Sequence, residues 1–344
     1  MKIVDLRSDT VTHPTPAMRE AMARAEVGDD VFGEDPTVNL LQQVAAERMG
    51  KEAGLFVPSG TMGNLAAVLA HCNRGDEVIL GNLSHTFLFE GGGVAALGGV
   101  MPRTLPNLPD GRLDLEDIKG AIRPDDVHQP VSRLIVLENT HNRCGGTVLS
   151  ADYIRQVGDL AKERQLKFHI DGARIFNAAV ASNTPARVLA EPADSITFCL
   201  SKGLCAPVGS VLCGSAEFIH RARRIRKQLG GGMRQAGILA AAGLVALNEM
   251  VDRLSEDHRR AGELADELSG ISGLSVDTKI PASNMVFVSL CDEVPQNSTQ
   301  VAVRLAELGV KVQTVGARRF RMVTHYWVDD EGIQQTINSF KKVL

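Results

Sequence analysis

Short, largely apolar runs alternate with helical stretches between Leu55 and Cys213 of this 344-residue chain, and that alternation restricts the fold more than any other feature. Leu55–Val57, Glu77–Leu80, Arg133–Leu137, Lys167–Ile170, Ile196–Leu200 and Ser210–Cys213 read as strands. Asn64–Cys72 and Asp152–Arg164 between them read as helices, the second with Ser150 as N-cap. Apolar strands separated by helices form a mainly parallel sheet covered on both faces. Upstream, Pro14 and Pro16 block early helix formation, so residues 1–15 are expected as an extended arm. Thr37–Met49 reads as a helix with Val38, Leu41, Val44, Ala45 and Met49 broadly on one face, closed by Gly50. After Gly243 the pattern changes. One long helix, Leu244–Leu268, is followed by strands Asn284–Leu290 and Phe320–His325 and by helices from about Thr299 and Asp330. The expected organisation is an arm (1–15), a large α/β domain (16–248) and a small α+β domain (249–344).

Two of the strands end in chemistry. Lys167-Phe-His-Ile170 runs into Asp171, and Ile196-Thr-Phe-Cys-Leu200 runs into Ser201-Lys202. A carboxylate at one strand end and a lysine at a later one suit pyridoxal 5'-phosphate (PLP). The lysine can hold the aldehyde as a Schiff base, and the carboxylate can pair with the protonated pyridine nitrogen. His169, two residues before Asp171, shares its face of the strand, as a core histidine or as support behind the cofactor.

Other segments carry weaker signals. Pro58-Ser-Gly-Thr-Met-Gly-Asn64 joins a strand to a helix. Gly60 can expose backbone N–H groups at the helix N-terminus and Thr61 can add a hydroxyl, which together suit a phosphate. The same residues also make an ordinary turn. The run Gly91-Gly-Gly93-Val-Ala-Ala96 matches a relaxed dinucleotide fingerprint but follows no clean strand, so close packing or a flexible turn explains it better. His85 and His128 lie in loop-like segments. The basic run His220–Lys227 leads to Gly230-Gly-Gly-Met-Arg234, where Arg234 on a glycine-rich turn can approach an anion closely. Arg321, in a small-domain strand, is either a surface residue or a clamp for a substrate carboxylate.

Composition removes several function classes. A net charge of −4, with no aromatic residues interleaved in the basic run, argues against nucleic acid. No apolar run reaches membrane-spanning length, and the charged opening Met1-Lys-Ile-Val-Asp-Leu-Arg7 is no signal peptide. The cysteines (72, 144, 199, 205, 213, 291) show no metal-ligand spacing, so reduced thiols in the cytoplasm and no metal site are expected.

Taken together, the blocks resemble the threonine aldolases, PLP enzymes with the aspartate aminotransferase fold (fold type I). The resemblance runs through Asp5–Thr12, Val27–Pro36, Phe56–Asn64, Leu137–Asn142, His169–Ala178, Cys199–Ser210, Gly230–Gly237 and Arg321–His325. It implies that Lys202 carries the cofactor, that Asp171 pairs with its ring nitrogen, and that Gly60 and Thr61 hold its phosphate. Lys227 and Arg234 are implied to reach that phosphate from a neighbouring subunit of a homotetramer, a dimer of dimers. His85 is implied to stack on the ring and, with His128, to line the space for the substrate hydroxyl. Ser8, Arg174 and Arg321 are implied to bind the substrate carboxylate, with Arg174 also close to the cofactor. The implied reaction is retro-aldol cleavage of L-threonine or L-allo-threonine to glycine and acetaldehyde. One position departs from the pattern: some allo-specific members carry Tyr four residues after the stacking histidine, where this chain has Phe89. The alternatives are a PLP-dependent β-eliminating lyase or aminotransferase, and more distantly a nicotinamide dehydrogenase or a non-catalytic binding protein.

Overall fold

The structure, a computed structural model, describes residues 3–278 and 281–344. It divides into two compact units, Met1–His13 with Asp252–Leu344 and Pro14–Val251. The first strand, β1 (Val4–Asp5), belongs to the smaller unit.

The larger unit is built on seven strands, β2 (Ala53–Val57), β3 (Glu77–Gly81), β4 (Met101–Leu105), β5 (Ser132–Glu138), β6 (Lys167–Asp171), β7 (Ser195–Cys199) and β8 (Ser210–Gly214). Their order in the sheet is β2-β8-β7-β6-β5-β3-β4. From β7 to β4 every pairing is parallel, while β8 runs antiparallel to both β7 and β2. The central strands are buried nearly throughout, as the apolar runs require. Leu65 and Val68 of the helix Gly60–His71 pack against Val78, Leu80, Leu134 and Val136. The helix Pro36–Met49 ends on Gly50 in the left-handed conformation, and Ser150 caps Ala151–Glu163.

In the smaller unit β9 (Leu274–Val276), β10 (Met285–Leu290), β11 (Val310–Lys311), β12 (Gln313–Gly316) and β13 (Arg319–Val323) complete the strands. An antiparallel sheet runs β12-β13-β10-β9, and β1 pairs in parallel with β11. Its core joins Val4 and Leu6 to the helices Leu254–Ser269 and Asp330–Val343 through Leu264, Phe320, Ile337 and Phe340.

Three sequence expectations need correction. The expected arm is folded: Val4 and Asp5 form a strand, and Asp9–Val11 form a 3-10 turn. Pro16 does not block a helix but opens one, Pro16–Arg24, with Thr15 as N-cap, because proline at the first position gives up only a donor that has no helical partner. The single helix expected over 244–268 is two, Gly237–Glu249 and Leu254–Ser269. Among the described residues no helix is long and apolar enough to cross a membrane.

Candidate active site

The C-terminal ends of β5, β6 and β7 lie side by side, with Asp171 paired to Glu138 on one side and to Thr197 on the other. Ligands of open α/β sheets bind at such strand ends. Lys202 sits in the connection from β7 to its antiparallel neighbour β8. That loop is tight: the Leu200 N–H donates to Gly209 O, Ala206 N–H to Leu200 O, and Cys205 N–H to Lys202 O. Gly209 has φ +99, and a Cβ there would meet the Phe56 ring at 2.5 Å, so only glycine closes the loop.

A cavity of about 330 Å³ opens at this edge, lined by Ser59, Gly60, Thr61, Asn64, His85, Glu90, Asp171, Ala173, Cys199 and Lys202 among others. Gly60 starts a helix whose N-cap, Ser59, accepts from the Met62 N–H at 3.1 Å. A Cβ on Gly60 would meet Cys199 Sγ at 2.9 Å, so the wall is shaped for glycine. A helix N-terminus, a lysine and a buried carboxylate in one cavity are the donor set that PLP requires for phosphate, aldehyde and ring nitrogen, and the residues present fit it.

Asp171 is 2% exposed. Its Oδ2 accepts from Asn64 Nδ2 at 2.9 Å and its Oδ1 from the Ala173 N–H at 3.1 Å. Asn64 is fixed in turn by a buried chain of hydrogen bonds. His71 Nε2 and His169 Nδ1 each lie 2.8 Å from Ser195 Oγ, and His169 Nε2 lies 3.3 Å from Asn64 Oδ1. Burial pushes the His169 imidazole down to about 3 and that of His71 to about 4, so both are neutral. One assignment then satisfies every link. His71 donates to Ser195, Ser195 to His169, His169 to the Asn64 oxygen, and the Asn64 amide to Asp171. His169 is thus the support behind Asp171 rather than an isolated core histidine.

His85 opens the short helix His85–Leu88, anchored where its N–H donates to Glu138 Oε2 at 2.7 Å. Its Nδ1 lies 3.0 Å from Glu90 Oε1, and that hydrogen bond raises the imidazole's pKa against the opposing effect of burial. Phe89, 51% exposed, tilts against the His85 ring at 5.6 Å.

Other expected residues do not line the cavity. His128 is 86% exposed at its side chain and bonds Asp126 at 2.8 Å. Arg174, just beyond Asp171, is buried. Lys227 is exposed, and Arg234 bonds Asp29 at 2.8 Å. In the smaller unit Ser8 caps the 3-10 turn, and an Arg321 Nη donates to Arg7 O at 3.1 Å. The glycines 91–93 precede only the four-residue helix Gly93–Ala96, with no strand leading into them, so the dinucleotide reading fails. Sequence reasoning missed Asn64, Glu90, Glu138 and Ser195. Asn64 left one trace, as a polar residue inside an otherwise small and apolar helix.

A family model described as "Beta-eliminating lyase" matches residues 5–291. Low-specificity L-threonine aldolase 1 of Arabidopsis thaliana is 48% identical over 347 residues, spanning 100% of this chain and 97% of that protein. The chain belongs to this family. The low specificity L-threonine aldolase of Escherichia coli (strain K12) is 45% identical over 99% of both chains. The solved Leishmania major threonine aldolase shares the fold, with TM-score 0.82 at 20% identity over 99% of this chain and all of that one. This member of the threonine aldolases is a PLP-dependent lyase of fold type I.

Proposed function

We propose that the enzyme cleaves the Cα–Cβ bond of L-threonine and L-allo-threonine, giving glycine and acetaldehyde. One observation carries the reading: Lys202 and Asp171 reach the same cavity as the N-terminus of the helix Gly60–His71. Lys202 would hold the aldehyde carbon of PLP, Asp171 its ring nitrogen, and Gly60 and Thr61 its phosphate. When bound, PLP supplies an electron-withdrawing ring conjugated to the amino acid's Cα. Cleavage removes the β-hydroxyl proton, and Cα gains a proton before glycine leaves. His85 is the imidazole in the cavity and the residue best placed to accept the first of these protons. His128 keeps a role beside the hydroxyl on the resemblance alone, as do Ser8, Arg174 and Arg321 for the substrate carboxylate.

For assembly we propose a homotetramer, a dimer of dimers, in which Lys227 and Arg234 reach the phosphate of a neighbouring copy. Both are exposed in their own chain and neither lines its own cavity, which supports the assignment. The free thiols of the six cysteines support a reducing compartment, the cytoplasm.

Low specificity is the expected behaviour. The two substrates differ by exchange of hydroxyl and methyl at Cβ, and Phe89 offers no hydroxyl to tell them apart. Apolar contacts alone discriminate by about 1–3 kcal/mol. The test is kcat/KM for both isomers with products identified. Glycine and acetaldehyde from both, with a mild allo preference, are expected. A 2-oxo acid with ammonia would instead mark β-elimination, and inert threonine beside rapidly cleaved allo-threonine would end the low-specificity reading.

A further inference from the structure

The segment Ser84-His-Thr-Phe-Leu-Phe-Glu90 places a carboxylate five residues beyond His85. The short helix between them turns the chain back, so Glu90 reaches the imidazole five residues before it. Its side chain is 3% exposed while that of His85 is 33% exposed. Glu90 Oε1 does two things at once. It lies 3.0 Å from His85 Nδ1 and accepts from Asn64 Nδ2 at 2.9 Å. The same Asn64 nitrogen donates to Asp171 Oδ2, so one amide bridges the two carboxylates. His85, Glu90 and Asp171 offer ligand atoms all within 4.8 Å of one another.

We infer that Glu90 is a positioning residue for the proposed cleavage, holding the His85 ring through Nδ1 so that Nε2 is the atom left to accept a proton. The inference rests on the reading of the reaction given above and adds to it the group that orients the imidazole.

Three physical arguments support it. First, an imidazole whose Nδ1–H donates to a carboxylate has a fixed tautomer, with the lone pair on Nε2. The Asn64 chain fixes the Glu90 oxygen in turn, since the Asn64 amide cannot turn over without breaking its bond from His169. Second, Glu90 Oε2 is buried with no hydrogen-bond partner among the described residues. A buried carboxylate with one oxygen unsatisfied is costly when charged unless a cation stands beside it, and His85 becomes that cation once Nε2 has taken a proton. Burial raises the Glu90 pKa, and the hydrogen bond to Glu90 raises that of His85. Third, two ionised carboxylates sharing one amide repel each other. A proton held along the Glu90–His85 bond relieves that repulsion. The charged groups facing His85 are Glu90, Asp171 from β6, Lys202 from the loop after β7, and Glu138 from the end of β5, which binds the His85 main chain. Of these only Glu90 accepts from the ring itself.

The experiment follows the His85 ring by nitrogen–proton NMR in PLP-loaded enzyme without substrate, alongside pH–rate profiles. In the wild type the neutral ring is expected as the Nδ1–H tautomer; an Nε2–H tautomer overturns the inference without any mutation. Glu90→Gln keeps the shape and an accepting oxygen but removes the charge. It is expected to retain full PLP absorbance and to move the His85 titration to lower pH. The acid limb of kcat/KM should move the same way. A fall in kcat of roughly tenfold to hundredfold, with KM within about threefold, is expected of a disturbed proton acceptor. An unmoved titration and acid limb in Glu90→Gln would overturn the inference. Because the ring titration is read without substrate, it judges the Glu90–His85 link separately. A shifted titration in an enzyme that cleaves neither threonine isomer upholds the link and rejects the proposed reaction.

Discussion

Asp171 accepts from a side-chain amide on one oxygen and a main-chain N–H on the other, so its orientation is set before any ligand arrives. Asp171→Asn preserves size and some of these bonds but loses the charge that would keep a ring nitrogen protonated. We expect PLP to remain bound and kcat to fall roughly a hundredfold or more, the scale seen when one preorganised electrostatic group is removed. Absorbance and single-turnover cleavage would check this, and near-normal kcat at full loading would reject the role. The histidines behind Asp171 make a different prediction. Their folded pKa values, about 3 for His169 and about 4 for His71, lie below the unfolded value near 6.5. Between these limits the unfolded chain binds more protons than the folded one. Their contribution is therefore complete above about pH 6.5 and is lost as pH falls toward 4 and 3. His71→Gln should make stability less steep in pH between about 4 and 6.5, by up to one proton. Denaturant midpoints measured across that range would show it; an unchanged slope would mean that His71 is not buried neutral.

At the scale of elements, the helix beginning at Gly60 does most to shape the site. Gly60→Ala places a methyl against Cys199 Sγ. Overpacking of this kind costs about 1–3 kcal/mol of stability and displaces the helix N-terminus that would hold the phosphate, so PLP affinity should fall. Cys199→Ala in the same chain removes the clashing atom and should restore binding, which PLP titration of the cofactor-free protein would measure. The start of this helix was the least legible boundary in the sequence. Its glycines read as a turn up to Asn64, whereas Ser59 caps a helix that already includes them. The strands β5 to β8 were legible to within a residue at each end, because burial on both faces leaves an unbroken apolar run. The strand β4 was not: Met101-Pro-Arg-Thr-Leu105 lies at the sheet edge, where a proline and polar residues are tolerated. The split near Met250 was invisible because residues 250–253 include neither glycine nor proline; it falls where the chain passes from one compact unit to the other. Asp171 and Lys202 were legible because one ends its strand and the other lies just beyond the end of its own. Asn64 and Glu90 were not, since their meaning depends on segments 26 and 107 residues apart converging.

For the whole molecule the open matter is how many chains build one site. Phe32 is 73% exposed and Leu97 60%. Arg234 follows a glycine-rich turn and Lys227 lies in the last turn of a basic helix, and neither lines the cavity of its own chain, so the role that the resemblance gives them needs the phosphate of a second copy. Co-expressing Lys202→Ala chains with Arg234→Ala chains separates the two arrangements. If each site lies within one chain, every hybrid contains only damaged sites, and the mixture shows the mean of its two parents. If Arg234 crosses to its neighbour, one site of each hybrid pair combines an intact Lys202 from one chain with an intact Arg234 from the other. The second site then collects both lesions. Random pairing puts about half the chains in hybrid pairs, and half of the sites in those pairs are intact, so about a quarter of wild-type activity should return. Tagging the two chains differently and purifying the hybrid alone should raise this to about half. Activity no higher than the parental mean in the purified hybrid would place Arg234 outside any shared site, while leaving the chemistry at Lys202 untouched.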